Sequence, residues 1–331
     1  MKPQLEELAV KAIVVSELGG PEVLRLREQP TPVPEPGQIL VDISAAGVNF
    51  MDTGARRPGS AATRPVPFVP GVEAAGSVRE LGAGVTDFTV GDHVTWVYAY
   101  GTYAEQIALP AAAAVPVPAG VSDEIAAAVM MQGLSAQHFA TEAAPVQPGQ
   151  TVLVHAAAGG LGQILVQLVK MRGGRVIGLV SREDKVKAAR GAGADEVLVS
   201  AGDRFVQPVL DLTSGQGVDT VFDGGGETTF WASTRVARRH GTVLYYGAVI
   251  GQPPVVNLRQ LPNSIKICYP TFVDHVPTRE ALLARSAELL TLVRDGLLTI
   301  EIGGRYPLTE AAQAHRDLES RATTGKLLLL P

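Results

Sequence analysis

The sequence is poor in the residue types that announce several common functions. It has a single cysteine, Cys268, in 331 residues. One thiol can neither close an internal disulfide nor build a cysteine-rich structural zinc site, so neither an exported disulfide scaffold nor a zinc ribbon fits. Aromatic residues make up 5% of the chain and charged residues 18%, with a net charge of −5. The densest basic runs are Arg56-Arg57 and Arg238-Arg239-His240. A nucleic-acid surface needs a clustered basic stripe to displace counterions, so no nucleic-acid partner is expected. No apolar run approaches the roughly 20 residues of a membrane helix, and no membrane role is expected. The first residues lack the apolar stretch of a signal peptide, and the expectation is a cytoplasmic protein. The six histidines, His93, His138, His155, His240, His275 and His315, show no metal-ligand spacing, and no metal site is expected.

Glycine is abundant, at 36 residues, and 46% of the chain is hydrophobic. That composition is globular, and the length suits two domains. Residues 1–10 read as a short extension. From Lys11, alternating apolar positions around Gly-Gly-Pro suggest paired strands. ILVDISAAGV reads as a strand, NFMDTGARRPGSAATRP as a loop, and FVPGVEAAGSVRELGAGVTDFTVGDHVTWV as a barrel-like all-β unit. DEIAAAVMMQGLSAQHFATEAA turns to helical spacing, with Ser122 as its N-cap and two acids in its first turn. From Gln150 strands and helices alternate. TVLVHAAA, RVIGLV, EVLV, DTVFDGGG and TVLYYG are the strands, and TTFWASTRVARRHG is one of the helices. This order implies right-handed crossovers and a doubly wound parallel sheet. The tail adds a long helix, a short strand, a further helix and a terminal LLLL strand.

The strongest motif is HAAAGGLGQ, residues 155–163, which follows an apolar strand and opens a helix. Ala157, Gly159 and Gly162 fill the positions of a G-x-G-x-x-G turn, with alanine at the first. Ala158 to Gly162 (Ala158, Gly159, Gly160, Leu161, Gly162) would let a pyrophosphate approach the backbone and meet the first free N–H groups of the helix. A site built for NADH places an acid at the end of the second strand, to bind the ribose 2′-hydroxyl. Here Ser181, Arg182 and Lys185 stand there, and a carboxylate would repel the 2′-phosphate they attract. The cofactor read from these residues is NADPH.

GVNFMDTGARRPG, PFVPGVEAAGSVRELGAGVTDFTVGDHV, GTYAEQ, QGLSA, VLVHAAAGGLGQ and YPLTEAAQAHRDLESRATTGKLLLLP run in order along nearly the whole chain. They resemble the zinc-free quinone oxidoreductase branch of the medium-chain dehydrogenase/reductase superfamily. The resemblance implies an α/β protein: a GroES-like β-barrel catalytic domain, residues 1–128 and 267–331, with a Rossmann domain, residues 129–266, inserted. It implies an active site in the cleft between them, and a homodimer joined through the edge strands of the Rossmann sheets. It extends to what is missing. Zinc-dependent relatives use cysteine where this chain has Asn49 and His-Glu where it has Val72-Glu73, so alcohol oxidation is not expected.

The resemblance also assigns roles. Asn49 lies near nicotinamide and substrate and is the expected oxyanion donor. Gln132 and Ser135 line the cofactor. Ser200 stands at the adenine side, where the family often has tyrosine. Tyr246 and Gly247 approach the nicotinamide, and Arg321 reaches the cofactor phosphates. Gly54 stands where a tyrosine is frequent, which is expected to widen the substrate pocket; Trp96, Tyr98 and Tyr100 are further pocket candidates. The expected chemistry is hydride transfer from NADPH to a quinone. A reductase of enones is the nearest alternative, and a nucleotide-gated structural or RNA-binding role is the alternative from another class.

Overall fold

The computed structural model describes residues 9–60, 62–247 and 254–331. The extension expected at residues 1–10 lies outside the described residues up to position 8, and Ala9 and Val10 already open the first strand. The chain divides into two compact units. The first holds residues 1–131, 286–294 and 302–331, and the second 132–285 and 295–301. The units differ from the boundary read from the sequence: residues 129–131 cluster with the first unit, and 267–285 and 295–301 with the second. Parallel pairing of the short strand 266–268 with the strand before it holds the first of these tail segments there.

In the first unit β1 (Ala9–Val14) pairs antiparallel with β2 (Arg25–Pro30), as the Gly-Gly-Pro turn suggests. β3 (Gln38–Val48) is the organising strand and pairs with β4 (Glu73–Leu81) and β6 (Gln106–Pro110). β5 (His93–Val97) pairs with β4 and with β7 (Val115–Pro116). The side chains of Ile39, Val41, Val94, Trp96 and Leu109 are buried in the core these strands enclose. These strands form the expected GroES-like unit, whose ladder stays open among the described residues because its two end strands do not pair with each other. β7 has only two residues, one of them Pro116, whose missing N–H cannot extend a ladder. The segment after Asn49, expected to be a loop, begins with the helix α1 (Phe50–Ala55). The carboxylate of Asp52 accepts from the Asn49 N–H at 2.8 Å, which satisfies a donor the helix itself leaves open.

Helix α2 (Asp123–His138) follows Ser122, whose Oγ accepts weakly from the Ile125 N–H at 3.4 Å. The second unit is a parallel six-stranded sheet. Its strands are β8 (Thr151–Val154), β9 (Arg175–Val180), β10 (Glu196–Val199), β11 (Val218–Asp223), β12 (Ala237–Tyr245) and β13 (Lys266–Cys268). They lie in the order β10-β9-β8-β11-β12-β13, so the winding reverses between β8 and β11. Helices α3 (Gly160–Met171), α4 (Val186–Gly191), α5 (Val206–Leu212) and α6 (Glu227–Val236) connect them. The helix expected to run through ARRH stops at Val236, because Ala237 already pairs with Val218 of β11. Long-range pairing overrides local helical preference there. The tail supplies α7 (Phe272–His275), α8 (Arg279–Arg294), β14 (Ile302–Pro307), α9 (Ala311–Glu319) and β15 (Lys326–Leu330). β15 returns to the first unit and pairs with β3 and β14.

Candidate functional site

In the second unit the glycine turn sits where the winding reverses, at the carboxyl end of β8, which is where open α/β sheets bind ligands. Gly159 caps α3, and the helix starts at Gly160. Gly160 allows a close approach: a Cβ there would lie 2.0 Å from Oε1 of Gln132. The carboxamide of Gln132 therefore rests on the turn. Its Oε1 is buried and makes no hydrogen bond. Ser135, one turn further along α2, is half-buried. An orphaned carbonyl against an open helix N-terminus suits a polar ligand carrying phosphate and amide groups.

The ends of β9 and β10 form the next part. Ser181 and Ser200 line one cavity of about 250 Å³ together with Leu198, Val199, Arg204 and Phe205. The Ser200 N–H donates to Val180 O at 3.0 Å, while its Oγ is buried without a partner. The structure does not assemble the Ser181–Arg182–Lys185 trio in this cavity. Arg182 turns onto Asp184 in an ion pair, and Lys185 is buried. The reason is the 3₁₀ turn Glu183–Lys185, which carries the lysine inward. Arg204 is the cation at this cavity, and sequence reasoning passed over it. The available signal was a basic residue just ahead of a helix that follows a strand end.

Beside the turn, β11 ends in Asp223, which is fully buried. Its Oδ1 accepts from the Gly225 N–H at 2.8 Å and the Thr229 hydroxyl at 2.7 Å, and its Oδ2 from Ser233 at 2.7 Å. His155 packs beside it, 3.4 Å from the carboxylate, and burial lowers the imidazole's pKa despite that charge. The network fixes the Gly224–Gly226 loop. Tyr246 and Gly247 close against this loop: a Cβ on Gly224 would meet the Tyr246 ring at 2.4 Å, and one on Gly247 would meet Gly226 N at 2.4 Å. The Tyr246 ring also lies 5.1 Å from that of Phe139, and burial raises its phenol's pKa.

In the first unit Asn49 is only 6% exposed. Its Oδ1 accepts from Lys326 Nζ at 2.8 Å, and its Nδ2 donates to Glu73 Oε1 at 2.8 Å. Glu73 also pairs with Lys326 and accepts from the Met131 N–H at 2.7 Å. The expected free donor is thus a locked amide with a single uncommitted N–H. A second buried chain starts at Arg56, whose Nε donates to His315 Nδ1 at 3.2 Å. His315 Nε2 must then carry the proton, and it faces the Tyr103 hydroxyl at 3.1 Å; Tyr103 donates to Asp52 Oδ2 at 3.0 Å. Burial holds His315 down to about 3, helped by the charges of Arg56 and Arg57. Burial pushes the Asp52 carboxyl up to about 7, against the Asn49 hydrogen bond and the charge of Lys326.

Two pocket expectations fail. Trp96 is fully buried in the core and offers a pocket nothing. Gly54 is buried, and a Cβ there would meet Ser60 Oγ at 2.8 Å and Ala62 Cβ at 3.1 Å. The loop that follows fills the space a tyrosine would leave, so glycine does not widen anything. Tyr98 and Tyr100 are exposed, and the Arg64 guanidinium lies 3.9 Å from the centre of the Tyr100 ring. Arg321 is exposed, in a left-handed conformation between α9 and β15.

These two units define a dehydrogenase architecture. The family described as zinc-binding dehydrogenase matches residues 192–329, and that described as alcohol dehydrogenase GroES-like domain matches residues 35–119. The chain is 37% identical to a quinone oxidoreductase of Pseudomonas aeruginosa, over 97% of this chain and 99% of that one. It is 35% identical to a 2-haloacrylate reductase of Burkholderia sp., again covering 97% and 99%. Its structure resembles that of Escherichia coli quinone oxidoreductase complexed with NADPH, with a TM-score of 0.91, 34% identity and coverage of 98% and 99%. The chain belongs to the zinc-free quinone oxidoreductase branch of the medium-chain dehydrogenase/reductase superfamily. The zinc in the family description does not fit the residues at its place. Val72 offers no ligand atom, and the carboxylate of Glu73 is already neutralised by Lys326.

Proposed function

We propose that this protein is an NADPH-dependent reductase that delivers hydride to a quinone or a related electron-poor acceptor. The observation that carries the reading is the cavity at the ends of β9 and β10. It is lined by Ser181, Ser200 and Arg204, where an NADH site would carry an acid. A hydroxyl pair and a guanidinium suit a 2′-phosphate. The α3 N-terminus would hold the pyrophosphate side, and Gln132 Oε1 would accept from a cofactor N–H, with Tyr246 and Gly247 toward the nicotinamide. When bound, the cofactor supplies hydride. A quinone spreads the incoming pair onto its oxygens, so the protein need only orient it and offer a donor. The remaining N–H of Asn49 is that donor in our reading, and water completes protonation. Nicotinamide oxidation with 1,4-benzoquinone tests this, with NADPH compared against NADH. Preference for NADPH is expected, and equal use of both would overturn the cofactor reading.

The likeness to a 2-haloacrylate reductase favours a second reading, reduction of an activated carbon–carbon double bond. A conjugated enone in the same assay separates the two, by a saturated product against a quinol. We propose further that the protein is a homodimer, held at the β13 edge. Val255, Leu258, Ile267, Tyr269 and Val273, in and around that strand, all expose apolar surface. Sedimentation equilibrium tests it, with a monomer at micromolar concentration as the contrary result. Among the described residues no helix is long and apolar enough to cross a membrane. A cytoplasmic location is the reading we attach to the unpaired thiol of Cys268.

A further inference from the structure

The histidines are not all scattered once the chain is folded. His138 ends α2, and Glu142 lies in the π-turn Phe139–Ala143 that continues it, closed by an Ala144 N–H to Phe139 O bond of 3.0 Å. His275 arrives from α7. Glu142 Oε2 lies 2.8 Å from His275 Nδ1 and 3.4 Å from His138 Nδ1. The three ligand atoms lie within 4.8 Å of one another, and the imidazole centroids are 4.9 Å apart. None of these residues has a role in the site described above.

Two features set the cluster apart from an ordinary ion pair. His138 Nδ1 is buried and lies 3.4 Å from the Glu142 carboxylate without completing a hydrogen bond, its side chain only 9% exposed. Both nitrogens of His275 face acceptor oxygens: Nδ1 faces Glu142, and Nε2 faces Gln137 Oε1 at 3.1 Å. A neutral imidazole has one N–H to share between them. A proton on Nε2, donated to Gln137, leaves the Nδ1 lone pair pointing at a carboxylate, an arrangement that a cation between the two would relieve. Ligand atoms bonded at about 2.1 Å around a tetrahedral ion stand roughly 3.4 Å apart, so small side-chain shifts suffice.

We propose that His138 Nδ1, Glu142 Oε2 and His275 Nδ1 form a binding site for a divalent transition-metal ion, with solvent in the fourth place. Two imidazoles and one carboxylate suit zinc. Glu142 is about a third exposed, which leaves a path for ion and water. Gln137 acts from behind by holding the tautomer of His275, and Arg285 takes Oε1 of Glu142, leaving the carboxylate a single oxygen for the ion. The ion would pin the end of α2 to α7 within the second unit.

The test is uptake of zinc by the chelator-treated full chain, followed by calorimetry, with cobalt as a spectroscopic probe. One ion per chain is expected, with the visible bands of four-coordinate cobalt. His138→Ala and Glu142→Gln should abolish uptake. Gln137→Ala should weaken it about tenfold. Arg285→Gln should tighten it, by removing a competing cation. Far-UV circular dichroism and the metal-free urea midpoint show whether each variant is folded, and Glu142→Gln, at a partly exposed position, is the variant least exposed to that risk. No uptake by the native chain, or equal uptake by native and Glu142→Gln protein, would overturn the proposal in favour of a charged His275 paired with Glu142.

Discussion

In the first unit Glu73 meets Lys326 and Asn49, and Asp52 meets Tyr103, which meets His315 and through it Arg56. In the second unit Asp223 is answered in the same way, by Ser233, Thr229 and a backbone N–H. Yet at the strand ends Gln132 Oε1 and Ser200 Oγ are buried with no partner. Buried polar groups are nearly always hydrogen-bonded, and exceptions call for an explanation. Paired charges in the first unit are committed to the fold; the unpaired Gln132 and Ser200 atoms, which unlike the first unit's unpaired Trp96 Nε1, Thr102 Oγ1 and Gln106 Oε1 sit at the glycine turn and the strand-end cavity, are available to a ligand. Substitutions in the first set should therefore move stability, and those in the second should move nucleotide affinity.

The largest effect is expected at Lys326, which is 1% exposed. Lys326→Met strands Glu73 in the interior, and breaking such a pair from one side costs about 3–5 kcal/mol. Urea denaturation without nucleotide reads this loss. A small loss would mean that the first unit's charges are not committed to the fold.

Next comes a pH dependence. Asp52 is held at about 7 against an ordinary value of 3.8, chiefly by burial. Between those values Asp52 contributes stability that falls as pH rises from about 4 to 7, while His315, held at about 3 against an ordinary 6.5, contributes a rise between about 3 and 6.5, so the two oppose each other in the net profile. Asp52→Asn should remove the falling contribution and leave stability rising with pH over this window. An unchanged slope would show that another group carries it.

Gly160→Ala should follow, acting at the turn that faces the ligand. Its Cβ would press on Gln132, and overpacking of this kind costs the fold roughly 1–3 kcal/mol, with NADPH affinity lowered because the turn and Gln132 are displaced together. Gln132→Ala in the same chain should restore part of it. Fluorescence titration of NADPH is the readout, and absence of rescue would separate the turn from Gln132.

The smallest effect and the sharpest in kind is expected at Arg204. Arg204→Ala should weaken NADPH about tenfold, the worth of one hydrogen bond to a charged group, and leave NADH unchanged. Equal loss for both would remove the 2′-phosphate from this cavity.

The sequence made the second unit's sheet legible because its signals are local. Each strand is a short apolar run, each helix follows within a few residues, and the glycine turn is contiguous. What stayed hidden depends on partners far along the chain. Nothing near Asn49 shows that Lys326 will take its carbonyl, and nothing near His138 announces His275. Trp96 reads as a pocket aromatic beside Tyr98 and Tyr100, which an unbroken strand would place on one face, but β5 ends at Val97 and Tyr98 takes a positive φ, so Trp96 stays in the core and the two tyrosines are exposed. Lys185 reads as a phosphate ligand until the turn that carries it is seen to wind inward.

The packing at Gly54 bears on how this chain could change. A bulky side chain at that position finds Ser60 and Ala62 already in its way. The order of substitution therefore matters: a shorter or smaller loop must come first, with little expected effect by itself, before a tyrosine can enter. Taken in the reverse order, the same two steps pass through a chain whose loop and helix compete for one volume. A library varying residue 54 alone would miss every combination in which the loop had given way.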